Sequence, residues 1–226
     1  MSSTKHHRFV EHAARYIHTI SPLRNLAVMK PVRCPLHFTV WFTVLLLFVA
    51  PAWADWTLNN AESQLSFVSI KKGDIAEVHR FDQLDGSVDG KGNVKLTIQL
   101  ASVDTAIPIR DQRMREMLFD TDAFPSAVLT ATIDASEVNT LDAGAMLMSS
   151  LKGQLSLHGQ SSPVTAELAV ARLGPNKLLV SSRKPVVLQV ADYELLEGVE
   201  KLREVAGLDS ISKAVPVSFV LTFDKN

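Results

Sequence analysis

Leu151-Lys152-Gly153-Gln154-Leu155-Ser156-Leu157-His158-Gly159 sets an apolar or small residue at each odd position and a polar one at each even position, then stops on glycine. A period of two turns one face of an extended strand to a core and the other to water, the mark of a half-buried antiparallel strand. The same parity runs through Val94, Leu96, Ile98 and Leu100, opposed by Lys95, Thr97 and Gln99. It returns at Val164, Ala166, Leu168 and Val170, at Val186, Leu188 and Val190, and at Val215, Val217, Phe219, Leu221 and Phe223. Shorter runs at Gln64 to Ile70, Ile75 to Phe81, Gly86 to Val88 and Val128 to Ile133 bring the expectation to about eight or nine strands, an all-β barrel or sandwich.

Turn residues separate these runs at Asp89-Gly90-Lys91-Gly92-Asn93, at His158-Gly159 to Pro163 and at Gly174-Pro175-Asn176. Two segments leave the period of two. Between Ile109 and Leu118, Met114, Met117 and Leu118 fall at helical spacing, and from Gly198 to Ala206 the residues Val199, Leu202 and Val205 step by three before a Gly207 stop. Both are expected to be short helices acting as lids or plugs at the barrel ends.

Upstream of the strands, the apolar run Leu36 to Ala50 lies between Lys30 and Arg33 and the small-x-small site Ala52-Trp53-Ala54. That is the pattern of a secretory signal peptide, expected to span 29–54 and to be cleaved after Ala54. The competing reading is a membrane anchor, but about 15 apolar residues fall short of the roughly 20 that a spanning helix needs. Residues 1–28 carry His6, His7, His12 and His18 without apolar periodicity, and Met29-Lys30 opens a complete signal peptide, so 1–28 reads as an upstream extension. The mature region, 55–226, is long enough for one domain with its own core. It holds 17 basic and 23 acidic residues, a net charge of −6 that argues against nucleic acid as a partner. Cys34, the sole cysteine, falls in the signal segment, so neither disulfides nor a thiolate site is expected in the mature protein.

The mature chain also carries, in order, Gln64-Leu65-Ser66-Phe67, His79-Arg80-Phe81, Leu84-Asp85-Gly86, Ser102-Val103-Asp104-Thr105, Arg110-Asp111, Leu118-Phe119-Asp120, Phe124-Pro125 and Gly153 to Gly159. This ordered set resembles the YceI-like proteins. The resemblance implies a lipocalin-like antiparallel β-barrel of about eight strands, exported to the periplasm, some of whose members hold a polyisoprenoid or a related amphiphile. It also implies a link to stress responses in some relatives and, in some, a membrane neighbour of the cytochrome b561 type. The segment Leu195 to Leu208 departs from the pattern as an extra helical insertion before the last strand.

An eight-stranded barrel is just wide enough to be filled by side chains or to hold one slender ligand. Phe67, Phe81, Leu155, Leu157, Val217 and Phe219 are the inward candidates, lining a tunnel in one case and forming an ordinary core in the other. The resemblance favours the tunnel. Arg110 suits a phosphate or carboxylate head, since its planar fork of donors matches such anions, but it equally suits a carboxylate of the protein while Asp111 serves the helix start. Arg113 and Arg115 read as a solvated face.

His79 and His158 are the two histidines of the mature chain, too few for a zinc site without an accompanying carboxylate pattern. Structural hydrogen bonding is the ordinary expectation for both, with contact to a ligand head as the alternative. Met114, Met117, Leu118, Phe119 and Phe124 form a soft apolar cluster that serves either as a ligand gate or as packing.

No nucleophile elbow, phosphate-binding glycine loop or paired-histidine zinc motif is present, so a binding protein is expected rather than an enzyme. The leading reading is a periplasmic carrier that sequesters an isoprenoid-like, quinone-like or other amphiphilic lipid, with no other cofactor; a homodimer is compatible with it. The alternative is a filled barrel that docks on a cytochrome b561-type membrane partner through an exposed apolar patch around Met114, Met117 and Phe119.

Overall fold

The computed structural model describes residues 54–226, so the sequence expectations for the upstream extension and the signal segment fall outside the described residues. Twelve strand segments form one sheet. They are β1 (Ala54–Leu58), β2 (Gln64–Lys71), β3 (Ile75–Phe81), β4 (Leu84–Asp89), β5 (Asn93–Gln99) and β6 (Val103–Asp104). Then follow β7 (Ser126–Thr132), β8 (Met146–Leu157), β9 (Gln160–Gly174), β10 (Lys177–Ser182), β11 (Val186–Gln189) and β12 (Ala214–Lys225).

The pairing reduces twelve segments to eight barrel strands. The order β1-β4-β5-β7-β8-β9-β10-β12 closes on itself through antiparallel pairing of β12 with β1. The other four segments prolong members of that ring. Along one flank of β12, Leu58 pairs with Phe223 and Phe67 with Val217, so β2 continues β1; along the other flank β11 continues β10. Pairing of β2 with β3 and of β3 with β6 shows likewise that β3 runs on into β4 and β5 into β6. The result is a closed, antiparallel, lipocalin-like up-and-down barrel in which closure leaves no long free edge at the β1–β12 seam.

The bends in the broken strands are stapled to one another. Between β1 and β2, the Asn60 amide donates to the Asp82 carbonyl at 3.0 Å and accepts from the Leu84 N–H at 2.8 Å, which fixes the β3–β4 bend. The Ser102 hydroxyl, at the β5–β6 bend, accepts from the Gln83 N–H at 3.0 Å. The β10–β11 break contains Pro185, which has no N–H to offer a ladder.

Two expectations are corrected. The turn after β8 is only His158-Gly159, both at positive φ (51° and 76°) as a tight hairpin requires, while Pro163 lies within β9 opposite Gln154, beyond the reach of β10. The helices do not sit at two ends. Strand directions alternate, so the β6–β7 and β11–β12 connections emerge at one end, together with the β2–β3 and β8–β9 turns. The first connection holds α1 (Pro108–Arg113), which runs directly into a π-helical turn, Met114–Phe119. A short α2 (Ala135–Asn139) lies between β7 and β8, at the opposite end. The β11–β12 connection holds α3 (Leu196–Val205).

α3 ends as the sequence predicts. Gly207 takes φ +62° and donates to the Glu204 carbonyl at 3.0 Å, and Leu208 donates to Arg203 at 3.0 Å, the paired bonds of a glycine-terminated helix. None of the helices among the described residues is long and apolar enough to cross a membrane.

Candidate functional site

At the helix-capped end the barrel is hollow. A cavity of about 470 Å³, within the range of small-molecule sites, is walled by inward side chains of the strands and roofed by the helices. The boundary between hollow and filled barrel falls at three of the four bends; below the fourth, β5 still contributes Leu96 and Ile98 to the lining. β2, β3 and β11 supply lining residues, whereas their continuations β1, β4 and β10 supply none. Unbroken β12 crosses the boundary: Val215, Val217 and Phe219 line the cavity, and Leu221 and Phe223 are buried below it.

Below the boundary, Trp56, Leu84, Leu178 and Val170 pack with Phe223 into a solid plug. Its tightness shows at Gly86, where a Cβ would stand 3.0 Å from Leu58 Cβ and 3.4 Å from Phe223. Arg172 seals the floor: its guanidinium lies 5.4 Å over the Trp56 ring and donates to the carbonyls of Gly174, Pro175 and Val138, joining two loops.

The roof forms where α3 meets the π turn. A Cβ on Gly198 would lie 2.8 Å from the Met117 carbonyl oxygen and 2.9 Å from Leu118 Cα, so only glycine permits this approach. Met114 and Phe119 are buried, and Val199 and Leu195 close the roof beside them. The cavity opens between α1, the β2–β3 turn and the loop after α3. Ile107 and Ile109 mark that mouth, for they line the cavity while remaining 43% and 53% exposed.

Phe67, His79, Phe81, Arg110, Met114, Leu118, Phe119, Leu155, Leu157 and Phe219, the residues singled out from sequence, are brought together on this one lining. Ring contacts link four of them in a ladder, His79 to Phe67 at 5.2 Å, Phe67 to Phe81 at 5.3 Å and Phe81 to Phe119 at 5.9 Å. Two candidates fall elsewhere. The Asp111 carboxylate turns back to accept from the Thr105 N–H and hydroxyl. Phe124 stacks on His158 at 4.5 Å and lies under Gly159, bracing the β8–β9 turn. The apolar patch expected on the surface around Met114, Met117 and Phe119 is not there, because Met114 and Phe119 are buried and Met117 is half-buried against α3. Arg113, expected on a solvated face, lines the cavity.

One side of the lining is polar. Ser69, Lys71, Glu77 and His79 continue the inward parity of β2 and β3 toward the mouth, where Arg110 joins them. Glu77 Oε2 lies 2.8 Å from both Lys71 Nζ and the Arg110 guanidinium, and Arg110 also donates to the Thr105 carbonyl at 2.6 Å. The Lys71 hydrogen bond, aided by Arg110, holds the Glu77 carboxyl below its ordinary value against the opposing effect of burial. His79, only 4% exposed, exchanges a hydrogen bond with Ser69 Oγ at 2.8 Å. Burial, then the Arg110 charge, keeps its imidazole below its ordinary value and therefore neutral at pH 7. Two buried nitrogens here have no hydrogen-bond partner among the described residues, His79 Nδ1 and Arg110 Nε. Ser69, Lys71 and Glu77 were legible through strand parity, but their polarity masked them as cavity positions.

Among solved structures, the chain is similar to a polyisoprenoid binding domain from Saccharophagus degradans implicated in plant cell wall breakdown. The two are 37% identical, with a TM-score of 0.76 over 77% of this chain and 100% of that one. BcnA of Burkholderia cenocepacia is similar in fold, at 19% identity and a TM-score of 0.58 over 73% of this chain and 98% of its own. No curated protein matches the chain. The YceI-like domain model matches residues 56–223, which take in the plug, the cavity and both roof helices, and the chain therefore belongs to the YceI-like family.

Proposed function

We propose that this protein is a periplasmic carrier that holds one long apolar chain, isoprenoid-like in character, in the hollow half of its barrel. The observation that carries the reading is the apolar cavity of about 470 Å³ enclosed by barrel wall and helical roof. Similarity to a polyisoprenoid binding domain supports the chemical class. The signal peptide read from the sequence supports the compartment. Most of the lining is apolar, and burying an apolar chain is what such a wall supplies.

Each methylene moved from water into the cavity contributes roughly 0.8 kcal/mol, or about fourfold in affinity, until the space is full. Native mass spectrometry of the protein purified from periplasm, followed by titration with prenols of increasing length, tests this. The expected result is a co-purifying lipid of several hundred daltons, or affinity that climbs with chain length and then levels. Affinity indifferent to length, with no lipid retained, overturns it. Docking on a cytochrome b561-type partner as a filled barrel would then be the reading to pursue, by pull-down from solubilised membranes.

A further inference from the structure

We propose that the cavity selects an amphiphile with an anionic head, a carboxylate or a phosphate monoester, and seats that head at the mouth between Lys71, Arg110 and Arg113. This rests on the reading of the cavity as a lipid site and names the head that its chain would carry.

The charges that line the cavity are Lys71, Arg110, Arg113 and Glu77, a net of +2 in a mature chain whose net charge is −6. The excess positive charge is thus local and faces the ligand space. Glu77 is shared by Lys71 and Arg110 at 2.8 Å each, so a single carboxylate answers two cations, and Arg113 makes no ion pair among the described residues. Asp111, beside Arg110 in the chain, spends its carboxylate on Thr105.

Donor geometry points the same way. Arg110 commits one terminal nitrogen to Glu77 and the other to the Thr105 carbonyl, which fixes the guanidinium plane and leaves the buried Nε–H without an acceptor. A guanidinium fixed in this plane beside the ion-pair-free Arg113 suits an oxyanion, whose several lone pairs can meet both cations at the mouth. His79 lies deeper on the same lining, its other face occupied by the hydrogen bond to Ser69, so no further charge competes with the cations at the mouth. The chain of such a ligand would run inward from the cations along the Phe67–Phe81–Phe119 ladder.

The test is a matched-chain comparison on the full mature protein, reading Kd by fluorescence displacement or calorimetry for geranylgeraniol, geranylgeranyl monophosphate and a C20 fatty acid, with inorganic phosphate as the chainless control. A charge-assisted hydrogen bond gained at the mouth should make at least one anionic ligand bind about tenfold tighter than the alcohol. Which anion gains separates a prenyl phosphate from a fatty acid as the source of the head.

Arg113→Gln, at a partly exposed position, should remove most of that preference, bringing the affinity for the anion down towards that for the alcohol; Arg110→Gln should do the same. Arg115→Gln, a neighbouring cation off the lining, should change nothing. If the alcohol binds as tightly as both anions, or if the preference survives in Arg113→Gln and Arg110→Gln, the head assignment is wrong while the lipid cavity stands. If no chain-bearing ligand binds, the lipid cavity itself is wrong.

Discussion

The two halves of this barrel are built from the same strands and the same residue types, yet one is a solid plug and the other a hollow. In β12, Phe223 and Phe219 share a face and stand one inward step apart from Leu221; Phe223 is locked against Gly86, and Phe219 looks into open space. What differs is the backbone. At the β1–β2, β3–β4 and β10–β11 bends the wall passes between its tightly filled and its cavity-lining parts. Irregular strands thus divide stability from binding within one sheet, and the plug can carry the folding energy that the hollow half forgoes.

The largest consequence should be unequal sensitivity to truncation. Phe223→Ala is expected to cost about 3–5 kcal/mol in urea unfolding, and Phe219→Ala roughly half of that or less, since its ring already lacks neighbours on one side. Equal costs would mean that the upper half is packed in solution. Adding volume should show the reverse asymmetry. Gly86→Val forces a side chain against Leu58 and should cost about 1–3 kcal/mol. Ala166→Phe, projecting into the hollow, should barely move the unfolding midpoint yet block uptake of a fluorescent lipid; a bound lipid despite the filled space would remove the cavity from the binding model.

The roof is as tight. Gly198→Val pushes α3 off the π turn and should likewise cost about 1–3 kcal/mol while speeding lipid release in stopped-flow displacement, whereas an unchanged release rate would show that the roof does not control release. The smallest effect concerns pH. His79 is held neutral in the native hollow but charges freely when the chain unfolds, so stability should decline as pH falls below about 6.5 and stop declining once the native ring is itself protonated. Glu77 acts at lower pH: its depressed value gives stability that is complete above the ordinary carboxylate range and lost as pH falls through the lowered one. His79→Gln should flatten the unfolding profile between pH 7 and 5, leaving the acid limb in place. A profile that keeps its slope there would assign it to another group.

The alternation that reveals the strands is blind to what lies behind them. Val215, Val217, Phe219, Leu221 and Phe223 carry one unbroken signal, because a period of two reports which side faces inward and not whether that space is occupied. β10 escaped a sequence reading because Leu178, Leu179 and Val180 are consecutive apolar residues without alternation, and β1 because it is a single short run at the end of the expected signal segment. The site was legible where it is apolar and hidden where it is charged. Lys71 and Glu77 keep perfect inward parity, but a charge on an inward position argues against burial unless its partner is known, and Arg110 lies 33 residues from Glu77 in sequence. Phe124 failed for the opposite reason: an aromatic near a predicted gate suggests a ligand contact, whereas its ring is spent on His158.

The floor sealed by Trp56 and Arg172 makes the barrel a dead-end tube rather than a conduit. In the proposed carrier, loading and unloading would then be the same movement run in opposite directions, past the same residues, and a second cargo would enter only after the first had left. A donor and an acceptor of lipid would have to approach the same end in turn, never both at once, so delivery would proceed by alternate visits, and its pace would be set by how long the mouth stays open.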